Sequence, residues 1–300
     1  MKWAWAAPSL VAMVLASCGK PQTMSDPPLY PATAAVPTRP QTVVFLLPGA
    51  LTTADIFGPA GDWGGHDRLV VEYRLPGMQG EPIAPPLNVE RSARWVADYA
   101  NRFPDAQIQL LGYSTGAVIA LEAAGHIEDA DRVRVVAVSS ATPFPGAALA
   151  TLRGAIDVMR SALAIGSLNR QAVWEEYYKT LFLGSGWRKS PEKREIAKQM
   201  QQTVTGNVLA PRNGMGRAQS GSLLFWTPSE AALSSGADIT FFHGDRDPVF
   251  RLRDARRLAA SFDAPLCVLL EEGHLVFQST PDLIQRIRQH LDGPRETKGC

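Results

Sequence analysis

The stretch IQLLGYSTGAVIALEAA, residues 108–124, changes character at a cluster of small residues. An apolar run precedes Gly112, and a second apolar stretch follows Gly116. Continuous apolarity is typical of a strand that is covered on both faces, and the segment after the glycines has the composition of a buried helix. The two glycines bracket Ser114. The pattern leaves two interpretations: a reactive serine held on a sharp turn, or an ordinary strand-to-helix junction.

Further apolar runs predict strands at 42–49, 68–77, 133–140, 238–245 and 265–272. Segments with helical periodicity lie between the runs or after the last one, at 88–103, 115–125, 250–262 and 281–291. Such alternation predicts an α/β fold with a mostly parallel sheet flanked by helices.

The interval of about 143–235 has no strong strand pattern, and we expect it to be helical. Its clearest helical face carries aromatic and aliphatic side chains at the spacing of a helix: Trp174, Tyr177, Tyr178, Leu181 and Phe182. Two interpretations stand, a helix packed on the sheet or a helical lid whose apolar underside lines a pocket. We expect the interval as a whole to be a lid, inserted before the next strand.

Composition narrows the class of partner. Of 300 residues, 45% are hydrophobic and 20% charged, so the chain can bury a core, and its net charge is +1. No stripe of basic residues with interleaved aromatics occurs, so nucleic acid is not an expected partner. The absence of CxxC and HExxH motifs gives no support for a metal site, and we expect no cofactor.

The N-terminus is typical of an exported chain. Residues 1–17 join the charge of Lys2 to an apolar core shorter than a membrane-spanning helix. The segment Leu15-Ala16-Ser17-Cys18 resembles the lipobox of bacterial lipoproteins, which implies cleavage before Cys18 and its acylation, palmitate included. The alternative is an ordinary secretory signal with a chance cysteine. Because Gly19 replaces the aspartate that favours inner-membrane retention, we expect an outer-membrane anchor facing the periplasm, if the source is Gram-negative.

Residues 18–40 are rich in proline and small polar residues and predict an extended tether before a domain at 41–300. Two cysteines remain in that domain. An oxidising compartment permits a disulfide between Cys267 and Cys300, but the apolar run around Cys267 favours a buried free thiol.

A nucleophilic serine needs a base that is oriented by an acid. The predicted strand at 238–245 ends in a segment with two candidate acids, Asp245 and Asp247, and the next strand leads to His274. The order serine, aspartate, histidine is the order of one triad lineage. The other histidines lack such a context, and we interpret His243 as a packing residue at the end of a strand.

Over about residues 41–292, the chain resembles the serine hydrolases of the α/β-hydrolase fold, the esterases and lipases among them. The matching motifs are the serine elbow at 112–116, the acid loop at 244–249 and Gly273-His274 followed by Pro281. The resemblance implies Ser114 as nucleophile, His274 as base and Asp247, in preference to Asp245, as acid.

The resemblance also implies an oxyanion hole made of two backbone N–H groups, those of Thr115 and Ala50, with Leu51 as the fallback for Ala50. The match is looser here, because Pro48-Gly49 stands where many relatives carry His-Gly.

The implied activity is cleavage of a carboxylic ester or thioester through an acyl-enzyme intermediate. The expected substrate is a small-molecule or lipid-like acyl ester, with the membrane as a partner through the lipid anchor. Alternatives are an acyltransferase or peptidase using the same triad, and a catalytically idle lipoprotein that binds a ligand.

Overall fold

The computed structural model describes residues 26–33, 36–204, 210–294 and 300, with the backbone alone for 201–204. Residues 1–25 lie outside the described residues, so the signal peptide and the lipidation of Cys18 stay predictions. The described part forms one seven-stranded sheet in the order β1-β3-β2-β4-β5-β6-β7. Its strands are β1 (Leu29–Pro31), β2 (Thr42–Leu47), β3 (Arg68–Tyr73), β4 (Gln107–Tyr113), β5 (Val133–Val138), β6 (Asp238–Gly244) and β7 (Leu266–Leu269).

Strands β2 to β7 pair in parallel, which confirms the predicted fold class. The α-helices are α1 (Val89–Ala100), α2 (Thr115–Ala124), α3 (Gly146–Ile165), α4 (Arg170–Leu183), α5 (Pro191–Val204), α6 (Met215–Ser220), α7 (Glu230–Leu233), α8 (Leu252–Ser261), α9 (Val276–Ser279) and α10 (Leu283–Asp292). Short 3-10 segments include 54–63 and 221–225.

The sheet is covered on both faces, which explains the continuous apolar runs. Leu110 of β4 belongs to a core formed with α1, α2 and α8, whereas the next residue, Leu111, faces a second core formed with segment 54–63, α9 and α10. Both side chains are completely buried. Alternate residues of one strand therefore serve two separate apolar layers.

Strand β1 corrects part of the predicted tether. Residues 29–31, within the interval 18–40, pair antiparallel with β3, and Leu29 is buried. The backbone N–H of Arg74 donates to the Pro28 carbonyl at 3.0 Å. Three residues are too few to show a periodicity, and an edge strand tolerates the flanking prolines. The folded domain therefore begins before residue 41.

A helical insertion joins β5 to β6 and contains α3 to α7. The predicted aromatic face lies on α4, where Tyr178, Leu181 and Phe182 pack against the core of α9 and α10. The N–H of His274 donates to the Leu181 carbonyl at 2.7 Å. This part of α4 thus packs on the loop that carries His274. Among the described residues, no helix has both the length and the apolarity required to cross a bilayer.

The expectation of a free thiol at Cys267 is wrong, because Cys267 forms a disulfide with Cys300. Cys267 is buried in β7, and the two Cα atoms lie 5.2 Å apart. The Arg286 guanidinium on α10 donates to the Cys300 carbonyl at 3.1 Å. The local sequence around Cys267 does not reveal this return of the C-terminus to the sheet.

Candidate active site

Ser114 lies on a strained turn between β4 and α2. Its backbone has φ 53° and ψ −114°, a conformation that residues with a Cβ rarely adopt. The neighbouring glycines permit this turn, because a Cβ at Gly112 would overlap the backbone of Ala117 and one at Gly116 would overlap the Leu47 carbonyl. The structure contains the sharp turn of the first interpretation, and the reactivity of Ser114 stays a prediction.

His274 lies between Ser114 and Asp247. Its Nε2 is 3.2 Å from Ser114 Oγ, and its Nδ1 is 2.8 Å from Asp247 Oδ2. Because an ionised carboxylate only accepts, Nδ1 carries the proton in this pair, and Nε2 is left to accept from the serine hydroxyl. All three residues are buried. The structure thus brings together the three predicted residues, which lie up to 160 positions apart in the sequence.

Asp247 is held ionised by its surroundings. Its Oδ1 accepts the backbone N–H groups of Val249 at 2.7 Å and Phe250 at 3.0 Å. Burial alone would raise the pKa of Asp247, but the charge and hydrogen bond of His274 hold that pKa below its usual value. Asp245 makes no such contact: its carboxylate is 3.8 Å from the Arg246 guanidinium. The structure therefore places Asp247, not Asp245, on the histidine.

His243 lies close to this pair without joining the chain of hydrogen bonds. Its Nε2 is 2.9 Å from the Phe250 carbonyl and 3.7 Å from Asp247 Oδ2. Burial lowers the pKa of His243, which favours the neutral ring. It packs at the end of β6, as its position in the sequence suggested.

Tyr113, to which the sequence assigned no role, contacts His274. Its hydroxyl donates to the His274 carbonyl at 3.2 Å, and its ring centroid lies 5.2 Å from that of the imidazole. Burial raises the pKa of Tyr113 well above its usual value, so the hydroxyl stays protonated. The residue before the serine thereby fixes the loop of the histidine.

The loop after β2 borders the serine. A Cβ on Gly49 would come within 2.9 Å of Ser114 Cβ. The Leu51 N–H donates to Gln219 Oε1 at 2.7 Å, so the fallback donor is already engaged. In the described part of the chain, the N–H groups of Ala50 and Thr115 donate to no acceptor. These two amides fit the expected pair of oxyanion donors.

Gln219 is a site-supporting residue that sequence reasoning missed. It lies on α6 in the insertion and is completely buried. Its Oε1 accepts the Leu51 N–H, and its Nε2 donates to the Pro76 carbonyl at 2.8 Å. No motif surrounds it in the sequence.

The described ranges contain no cluster of three or more histidine, cysteine or acidic residues that could hold a metal ion.

Comparison with known proteins places this geometry in context. A model of the Alpha/beta hydrolase family matches residues 43–285. No curated protein matches the chain. The fold is similar to that of MGS-M2, an alpha/beta hydrolase enzyme from a Medee basin deep-sea metagenome library. The identity is 12%, the TM-score 0.65, and the match covers 89% of this chain and 94% of the other.

Two esterases have similar structures. One is a thermophilic esterase from Thermogutta terrifontis, with 19% identity, a TM-score of 0.57, and coverage of 85% of this chain and 90% of the other. The second is an esterase from Exiguobacterium antarcticum, with 17% identity, a TM-score of 0.59, and coverage of 85% and 93%. At these identities the likeness shows the fold alone.

Proposed function

Since the chain belongs to the alpha/beta hydrolase family, we propose that it is a serine hydrolase that cleaves carboxylic ester or thioester bonds. The observation that carries the proposal is the continuous path of hydrogen bonds from Ser114 through His274 to Asp247. It supplies a nucleophile, a base and an orienting acid in the order that acyl transfer requires.

The first half of the reaction forms an acyl-enzyme. Ser114 Oγ attacks the carbonyl carbon while its proton moves to His274 Nε2. Asp247 keeps the proton of Nδ1 on the ring and stabilises the imidazolium that forms. The tetrahedral intermediate collapses when the bond to the alcohol or thiol breaks, and that leaving group takes the proton from Nε2. In the second half, water attacks the acyl carbon while its proton moves to His274 Nε2. The bond to Ser114 Oγ then breaks, Oγ takes that proton, and the carboxylic acid leaves.

Negative charge develops on the carbonyl oxygen during each attack. The N–H groups of Thr115 and Ala50 are the proposed donors to this oxygen, and both are backbone groups. Thr115 is the first residue of α2, so the partial positive charge of the helix N-terminus lies at the same place. Because these donors are fixed by the fold before substrate binds, they need little reorganisation during the reaction.

The proposed substrate is a small-molecule or lipid-like acyl ester. Two similar structures are described as esterases, which makes esters the first class to test.

The location proposed for the chain is the periplasmic side of the bacterial outer membrane, to which acylated Cys18 would anchor it. Processing that is blocked by globomycin and lost in Cys18→Ala would support this anchor; processing insensitive to both would contradict it.

A series of p-nitrophenyl esters of increasing acyl length tests the activity. We expect hydrolysis by the wild-type chain and a fall in kcat on the order of 10⁶ for Ser114→Ala. Ser261→Ala is the matched control, because Ser261 lies on α8, where its hydroxyl donates to the Leu258 carbonyl at 2.7 Å. Equal rates for Ser114→Ala and the wild type would overturn the proposal. Product analysis with an added alcohol separates hydrolysis from acyl transfer.

A further inference from the structure

Helix α3 buries small side chains and exposes large apolar ones. Its small residues Ala147 and Ala150 are buried, whereas Leu152 and Met159 are each 58% exposed and Leu163 is 78% exposed. A helix on a protein surface ordinarily turns its large apolar side chains to the core. The exposed face of α3 is therefore not accounted for by the packing of its own domain.

The exposed apolar side chains share one face of α3. Leu149, Leu152, Met159 and Leu163, here called the α3 stripe, repeat at the spacing that keeps one face of a helix. From first to last they span roughly 21 Å along the helix axis. Exposed large apolar side chains that share one helix face mark an interaction site more often than scattered exposed residues do.

Two exposed phenylalanines lie near the first turn of α3. Phe144 is 52% exposed and Phe225 is 73% exposed, with ring centroids 5.9 Å apart. The N–H of Ala141, three residues before Phe144, donates to the Ser114 carbonyl at 3.3 Å. The apolar surface therefore begins close to the turn that carries the serine.

The N-terminal chain reaches the domain at the same edge of the sheet. Strand β1 is antiparallel, and its first residue, Leu29, lies opposite Tyr73 at the carboxyl end of β3. Ser114 follows the carboxyl end of β4, which is aligned with that of β3 through β2. From Cys18 to Leu29 the chain can extend about 40 Å at most. An anchor at Cys18 would thus hold this edge near the bilayer.

The charges of α3 are already engaged within the domain. Arg160 is well exposed but pairs with Asp157 at 3.1 Å, and the Arg153 guanidinium donates to the Val249 carbonyl at 2.7 Å. The apolar side chains of the stripe, and not a free positive charge, therefore carry the affinity for a partner.

We propose that the α3 stripe, with Phe144 and Phe225, is a docking surface for a lipid bilayer. This inference concerns binding and does not depend on the proposed hydrolysis, but the choice of a membrane as occupant rests on the proposed lipid anchor at Cys18. A second copy of the chain is the competing occupant, but the N-terminal chain at the same edge favours the membrane. Docked in this way, the domain would hold Ser114 close to the interface.

An environment-sensitive thiol probe on the full-length chain tests the inference. Cys267 and Cys300 are paired and Cys18 is replaced by serine, so Met159→Cys supplies the thiol that the probe labels. Leu233→Cys is the matched control, since Leu233 is exposed on α7, which lies beside Gly125 at the far end of α2 from Ser114. Vesicles of phosphatidylethanolamine and phosphatidylglycerol, with and without brominated acyl chains, are the probe surface.

We expect a blue shift at position 159 on vesicles and loss of roughly half of its emission to brominated lipid, with neither effect at 233. Leu152→Glu with Leu163→Glu, added to Met159→Cys, should abolish both effects without changing the thermal unfolding of the chain. Emission at 159 that is the same in vesicles and in buffer would overturn the proposal. A blue shift without lipid, together with a dimer in light scattering, would overturn it in favour of a second copy.

Discussion

Gln219 joins the helical insertion to the loop beside Ser114. Its Oε1 accepts the Leu51 N–H at 2.7 Å, and its Nε2 donates to the Pro76 carbonyl at 2.8 Å. Leu51 has a positive φ of 63°, and the preceding residue, Ala50, is the proposed oxyanion donor. The insertion therefore fixes a backbone conformation at the site in addition to covering part of the sheet.

Gln219→Leu should lower kcat. The substitution leaves the Leu51 N–H and the Pro76 carbonyl without their partner, at a cost of about 1–3 kcal/mol each, and frees the loop of Ala50 to move. We expect kcat to fall by roughly 10- to 100-fold with little change in KM, because the oxyanion donors act mainly in the transition state. Gln219→Glu retains an acceptor for Leu51 but turns a buried carboxylate oxygen toward the Pro76 carbonyl, so it should not restore the wild-type kcat.

Gln109→Leu is the control for this effect, measured by steady-state kinetics beside a thermal melt. Gln109 is also buried, and its Nε2 donates to the Leu291 carbonyl at 2.8 Å, on α10. It should lower stability but leave kcat unchanged. A full wild-type kcat in Gln219→Leu would contradict the positioning role.

The two candidate acids can be separated by one comparison. Asp247→Asn should lower kcat by about 10⁴, because an amide cannot hold His274 in the required tautomer or stabilise its positive charge. Asp245→Asn removes a charge two residues away that makes no contact with His274, and it should retain nearly the wild-type kcat. Comparable losses in both variants would contradict the assignment.

Burial of His243 predicts a pH-dependent stability. The pKa of His243 is lowered in the folded chain, so the unfolded chain takes up a proton near pH 6.5 while the folded chain does not. Stability from this residue is therefore present above pH 6.5 and is lost as pH falls from there toward the folded pKa. The loss is about 1.4 kcal/mol per unit of difference in pKa.

Urea unfolding at pH 7.5 and pH 5.5 checks this sign. The free energy of unfolding should fall less in His243→Gln than in the wild type over this interval. His66→Gln, which removes an exposed histidine, should follow the wild-type curve. Parallel curves for His243→Gln and the wild type would show that burial of His243 does not couple to pH.

Loss of the disulfide should destabilise the domain. Cys267 and Cys300 are 33 positions apart, and closing a loop of that length in the unfolded chain is worth about 3–4 kcal/mol. Cys300→Ser should lower the free energy of unfolding by that amount under oxidising conditions, and a reductant should lower that of the wild type equally. No effect of reductant on the wild-type chain would contradict the pairing.

The parts of the molecule that could be predicted are those with a local signal. Buried strands such as 108–113 carry continuous apolar runs, and glycines on both sides of Ser114 are needed wherever a strand and a helix approach so closely. Asp247 and His274 each follow a strand that is also recognisable by its apolar run. Their contact then follows from parallel strands, whose carboxyl ends meet at one edge of the sheet.

The parts that were missed depend on contacts between distant segments. Cys300 meets Cys267 only because α10 returns the chain to the sheet, and β1 is too short to show its pairing with β3. Gln219 reaches Leu51 across 168 positions. Gln219 holds the loop through two backbone groups, the Leu51 N–H and the Pro76 carbonyl. Every residue type offers such groups, so the sequence does not indicate which of them a distant side chain will bind.

Labelling by a fluorophosphonate is the most direct test of the central claim, that Ser114 is a nucleophile activated by His274 and Asp247. Intact-mass and peptide analysis should show a single adduct, on Ser114, in the wild-type chain. No adduct should form in Ser114→Ala, and Ser261→Ala should be labelled like the wild type. An unlabelled wild-type chain, or equal labelling of Ser114→Ala, would contradict the account.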